Sequence, residues 1–103
     1  IQGLGYALME ELPIESGKPT TLHMGDYKIP SIQDIPELVT VLLEQAQGSA
    51  PFQGRAIGEV SNVPTAAAIA NAVSDAIGRP VFSLPLTSEK VHKALRQQEE
   101  PKS

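Results

Sequence analysis

Glu59 is the residue whose setting best suits chemistry. It lies in GRAIGEVSNVP, residues 54–64, directly after Gly58 and one short apolar step from Arg55. Gly54 and Gly58 strip side chains from its surroundings, and Pro64 marks the entry to an alanine-rich helix. A carboxylate near a helix start stabilises the helix dipole by about 0.3–1 kcal/mol, and that role alone would account for it. A carboxylate on a glycine-flanked loop and screened from water is also suited to act as a general base.

The other chemical candidates are weaker. The glycines of QGLGYAL have no preceding strand and no third glycine, so they fail the dinucleotide fingerprint and are better explained by close helix packing. His23 and His92 stand far apart with no cysteine or acidic spacing for a metal, and both are expected at the surface. No G-x-S-x-G elbow supports a serine nucleophile.

Several elements must position Glu59. Residues 1–12 carry Ile1, Leu4, Leu8 and Leu12 at helical spacing, with Gly3 and Gly5 each costing about 1 kcal/mol against alanine. PIESGKP is a turn, TTLHM has strand character, and GDYKIPSIQDIP is an extended loop. ELVTVLLE, residues 37–44, is the strongest strand pattern, apolar on both faces and therefore expected to be covered on both. A long connection over residues 45–58 leads to the helix VPTAAAIANAVSDAIG. Its buried stripe is Ala66, Ile69, Ala70, Val73 and Ile77, with Ser61 or Asn62 as cap, Pro64 in the first turn and Gly78 as stop. PVFSLPL is a short extended piece. TSEKVHKALRQQ is a last helix capped by Thr87, and the tail beyond residue 96 is expected to be disordered. The fold class expected is α+β, a small mixed sheet packed with about three helices, in one domain over residues 1–96 with a tail at 97–103.

Composition narrows the function classes. The chain has 103 residues, 41% of them hydrophobic, only 4% aromatic and no tryptophan, so its core should be aliphatic. A chain of this size is expected to bury roughly two-thirds of its unfolded surface. A net charge of -4 argues against a nucleic-acid surface. The absence of cysteine excludes a disulfide frame and iron–sulfur ligation within these residues, and is compatible with a reducing cytoplasm. No apolar run reaches the roughly 18 residues of a membrane span. The first residue falls within an amphipathic pattern, as expected of a piece of a longer chain.

Five blocks occur in a familiar order and spacing: QGLGYALMEEL, DYKIP with DIP, GRAIGE, AAAIANAVSDAIG and LPLTSEKVHKAL. Together they resemble the C-terminal part of the large, molybdopterin-binding subunit of the molybdenum hydroxylases, the xanthine dehydrogenase and aldehyde oxidase family. The resemblance covers about residues 2–95. It implies that Glu59 is the catalytic base beside the molybdenum and that Ile57 and Gly58 belong to the loop near the cofactor. The implied reaction is hydroxylation of an aldehyde or an N-heteroaromatic carbon with oxygen from water. Molybdopterin would be the cofactor of the complete enzyme, with FAD and 2Fe-2S clusters in other domains or subunits. The partners would be the remainder of the large subunit, the iron–sulfur and flavin modules and a small-molecule substrate, in the cytoplasm. The stretches that bind most of the pterin are missing, so these residues alone should bind no cofactor and be inactive. An alternative of another class is a stand-alone interaction domain with the same fold and no catalysis. A small acidic enzyme built around Glu59 alone would need a second catalytic group, and the sequence offers none.

Overall fold

A computed structural model describes residues 1–44 and 48–97. Four helices, α1 (Gln2–Leu8), α2 (Gly58–Asn62), α3 (Thr65–Ile77) and α4 (Ser88–Arg96), accompany one hairpin, β1 (Ile14–Glu15) with β2 (Lys18–Pro19). Short 3-10 turns lie at Ile32–Asp34 and Pro51–Gln53. The α+β class holds, with α1, α3 and α4 as the expected helices and the five-residue α2 as an addition.

The central contact is α1 on α3. Gly3 and Gly5 are buried, and both glycines are needed. A Cβ on Gly3 would lie 2.6 Å from Thr65 Cβ, and one on Gly5 would collide with Glu10 and come within 2.8 Å of Pro30 Cδ. Close helix packing is therefore what the glycines of QGLGYAL do. Helix α1 is shorter than its pattern suggested. The amides of Met9 and Glu10 both donate to the Gly5 carbonyl, which ends the regular ladder at Leu8. Pro13 and the acidic pair Glu10–Glu11, unfavourable at a helix C-terminus, disfavour extension.

Helix α3 buries the stripe expected of it. Ala66, Ile69, Ala70 and Val73 are half-buried and Ile77 is buried. Gly78 ends the helix in the left-handed region at φ 68°, its amide bonding the Asp75 and Ser74 carbonyls. The start differs from expectation. Pro64 is itself the cap, with no side-chain cap bond, because α2 already holds residues 58–62 in helical geometry and runs almost directly into α3. Thr87 caps α4 as expected, accepting from the Lys90 amide. Arg79 Nη1 donates to the Ala94 carbonyl at 3.0 Å and ties α4 to the end of α3.

The sheet is where expectation and structure part. It is a two-stranded antiparallel hairpin, not a mixed sheet, and it lies in PIESGKP, the segment read as a turn. Ser16 and Gly17 both have positive φ, 50° and 78°, the twist that closes a two-residue hairpin. The two stretches expected as strands are not strands. In residues 20–24, Thr20 closes the hairpin onto Pro13, and the His23 carbonyl accepts from the Asp26 and Tyr27 amides, so the chain turns. Residues 37–44 are exposed and in no regular element, with no partner backbone among the described residues. A β-ladder needs a second strand, and the hairpin provides none for it.

Burial is correspondingly low. The apolar core is Ala7, Ile77 and Leu86. The chain exposes 8781 Å², against about 5,600 Å² for a compact protein of its mass. Its radius of gyration is 18.1 Å, against about 13 Å for a compact chain of this length. Only about 45% of the unfolded surface is buried, not two-thirds. Residues 98–103, and with them nearly all of the expected disordered tail, lie outside the described residues.

Two outcomes follow from these contacts. Gly3→Ala should separate α1 from α3 at a cost of about 1–3 kcal/mol, as overpacking generally does. Because Thr65 Cβ is itself the nearest atom, Thr65→Ala should not relieve the strain, whereas Thr65→Gly should recover part of it. The Leu86 amide, which donates to the Ala7 carbonyl at 2.7 Å, reports the docking by its hydrogen-exchange rate. The second outcome concerns Tyr27, whose hydroxyl donates to Glu10 Oε2 at 2.9 Å. That bond, then desolvation and the Glu10 charge, raise the phenol above its ordinary 10.0. The folded state favours the neutral ring, so this contribution is fully present below the unfolded value and is lost as pH rises through the folded one. An NMR titration of the Tyr27 ring should show the midpoint falling in Glu10→Gln.

Candidate functional site

Glu59 sits in the first turn of α2, one residue after the helix begins, and not on a loop ahead of the helix. Ile57 is the N-cap residue, and no side chain caps the helix. The Ser61 amide reaches the Ile57 carbonyl at 3.4 Å, and Ser61 Oγ donates to the Gly58 carbonyl at 2.8 Å. This side-chain bond supports a turn with almost no burial of its own.

The other end of α2 is held firmly. Tyr6 of α1 donates its hydroxyl to the Asn62 carbonyl at 2.6 Å, and Asn62 Nδ2 donates to Gln2 Oε1 at 3.2 Å. Thr65 Oγ1 donates to the Ser61 carbonyl at 2.7 Å. Helix α1, which packs on α3, therefore also locates α2. Tyr6, Asn62 and Gln2 did not emerge from the sequence reading as positioning residues. The available signal was Tyr6, one of only four aromatic side chains in the chain.

The carboxylate faces solvent. Ile57, Gly58 and Glu59 are all exposed, and no group among the described residues bonds or pairs with Glu59. Arg55, its neighbour in sequence, makes no ion pair with it. A Cβ on Gly58 would meet nothing within 4 Å, so the open space there is left by the chain's own fold. These residues fit a role as the lining beside a group brought from outside: one free carboxylate and one bare backbone step on a fixed helix. They do not fit metal ligation, since no group of three His, Cys, Asp or Glu side chains converges among the described residues. His23 and His92 are exposed, as the sequence suggested.

Two surface hollows lie elsewhere. One of about 330 Å³ lies between residues 80–86 and α4, floored by Val81, Leu86 and Ala94 and edged by Lys90 and Lys93. The other, about 240 Å³, is lined by Leu12, Leu22, His23, Met24 and Tyr27 among others. Neither includes Glu59. Among the described residues no helix is long and apolar enough to cross a membrane.

Comparison of the sequence with known proteins matches it to a family. Residues 1–36, the stretch containing α1, match the model of a molybdopterin cofactor-binding domain. The chain is 36% identical over 92 residues to the putative xanthine dehydrogenase molybdenum-binding subunit of Escherichia coli K12, covering 87% of this chain and 12% of that protein. It is 39% identical over 95 residues to the gamma subunit of the 6-hydroxypseudooxynicotine dehydrogenase complex of Paenarthrobacter nicotinovorans, covering 88% and 12%. Against the aldehyde oxidoreductase molybdenum-binding subunit of Escherichia coli K12 it is 36% identical over 92 residues, covering 86% and 13%. The chain thus spans about an eighth of the length of these curated relatives. It belongs to the family of molybdopterin-binding subunits of the xanthine dehydrogenase and aldehyde oxidoreductase type.

Proposed function

We propose that this segment contributes Glu59 as general base to a molybdopterin site completed by the rest of a molybdenum-binding subunit. The observation that carries the reading is an unpaired, exposed carboxylate on a short helix whose far end is fixed to α1 by Tyr6 and Gln2. Glu59 has no partner among the described residues, and its place in the first turn of α2 also suits a dipole-stabilising role, which the substitution below separates from a base. When bound, the cofactor would supply the oxidising centre at which an aldehyde or N-heteroaromatic carbon is hydroxylated with oxygen from water.

The chain's own residues have three tasks in this reading. Glu59 accepts a proton at a carboxylate oxygen, which requires the acid's partner atom within about 2.6–3.2 Å. Gly58 and Ile57 line the approach, the glycine leaving room for a bulky group beside the backbone. Tyr6, Asn62 and Gln2 fix the helix so that the carboxylate does not drift. The dryness that favours a general base has to come from outside, because none of the described residues covers Glu59.

Molybdopterin is the one cofactor this segment would face, with FAD and 2Fe-2S clusters in other modules of a cytoplasmic complex. The names of the relatives, which describe subunits of dehydrogenases, support the existence of partner subunits. The alternative of a non-catalytic interaction domain leaves Glu59 idle, and a single substitution separates the two.

In the complete enzyme, Glu59→Gln keeps size and shape and removes the base. Turnover should fall by about 10²–10⁴-fold, with molybdenum content and folding unchanged. A cofactor-loaded variant working within about tenfold of the parent returns Glu59 to a dipole-stabilising role. Purified residues 1–103, supplied with an acceptor dye, should neither retain molybdopterin nor oxidise an aldehyde or N-heteroaromatic substrate. Measurable hydroxylation by the chain alone would contradict the shared site.

A further inference from the structure

Residues 38–43, LVTVLL, have strand composition and no strand partner. Leu38, Val39, Val41, Leu42 and Leu43 are between 60% and 88% exposed. No backbone hydrogen bond among the described residues involves residues 37–44. Leu38, Thr40 and Leu42 alternate with Val39, Val41 and Leu43, so both faces of an extended chain here are apolar. The stretch contains no charge, glycine or proline. Glu37 and Glu44 bracket it, and Pro36 precedes it where a missing amide costs a ladder nothing.

Such a segment is suited to the interior of a sheet covered on both faces. Natural edge strands carry charges, bulges or prolines that prevent pairing, and this one carries none between its two glutamates. The chain offers it no sheet to join, because β1 and β2 are two residues each and pair with each other.

We propose that residues 38–43 become a strand by adding to a sheet in the remainder of the molybdenum-binding subunit, with apolar layers covering both sides. Length identifies that occupant. Any continuous stretch covering 87% of this chain includes residues 37–44, so the relatives carry a counterpart inside chains about seven times as long. Main-chain hydrogen bonds then supply the attachment, and the alternating side chains set its register. The inference rests on the reading that this segment completes such a subunit, but it does not involve Glu59.

The test is a split subunit. The Escherichia coli relative, shortened by the part homologous to residues 1–103, is co-expressed with this chain. The result expected is co-purification in equal amounts, with the amides of Val39, Thr40, Val41 and Leu42 exchanging at least about 100-fold more slowly than in the chain alone. Val41→Pro, which removes a ladder donor from a segment that bonds nothing in the free chain, should abolish the complex. Val41→Thr, which keeps the amide and the branched shape, should preserve it. Glu59→Gln should bind like the parent, so lost turnover with intact assembly concerns the base, and lost assembly concerns the strand. The proposal is overturned if the pieces do not associate, if the complex forms with residues 38–43 still exchanging at their free rate, or if Val41→Pro binds as well as the parent. It is equally overturned if the chain alone dimerises with these amides protected, since a second copy would then be the partner.

Discussion

The absence of a Cβ at position 3 sets the distance between α1 and α3, and most of the described structure depends on that distance. Any side chain there would meet Thr65 well inside van der Waals contact. With the two backbones this close, α1 and Glu10 just past its end bond to three later parts of the chain. The Ala7 carbonyl accepts from the Leu86 amide, Tyr6 reaches the Asn62 carbonyl, and Glu10 accepts from Tyr27. The first locates the segment before α4, the second locates α2, and the third folds residues 20–30 back against the helix. A core of three buried apolar side chains is too small to impose such an arrangement by area alone. Directional bonds to one short helix do much of what burial does in a compact domain.

Legibility in the sequence followed locality. The stripe of α3, the stop at Gly78 and the Thr87 cap all rest on interactions within one helix turn or one helix face, and all appear where the pattern put them. Gly3 and Gly5 were readable as a close approach because their cost within a helix demands compensation. The hairpin was missed because its strands are two residues each, below any periodicity, and only its turn was legible. Residues 37–44 show the opposite error. Their alternation has strand composition, yet a strand is a relation between two backbones, and no second backbone pairs with it among the described residues.

The same distinction governs the site. The glycine-flanked setting of Glu59 was visible, and so was its position near a helix start. What the sequence did not show was that residues 58–62 already form a helix or that Tyr6, more than fifty residues away, holds its end. Burial was overestimated for the same reason as the core: the expected screening of Glu59 assumed a cover that these residues do not contain. The matched relatives are much longer chains, of which the counterpart of this segment is about an eighth.

In the proposed role of Glu59, a base placed this way would gain precision without its own burial. Three residues separate Glu59 from the carbonyl that Tyr6 holds, about 4.5 Å along a helix. Proton transfer tolerates a donor–acceptor separation of only about 2.6–3.2 Å, so a carboxylate on a freely moving loop would spend most of its time out of reach. One helical turn, fixed at its C-terminal end and reinforced by the Ser61 bond to the Gly58 carbonyl, limits that wandering before any cofactor arrives. The N-terminal end stays open, with a bare glycine beside the carboxylate. Under the proposed function, positioning is built into this chain while dehydration would come from what it docks against, and a base divided in this manner would be competent only after assembly.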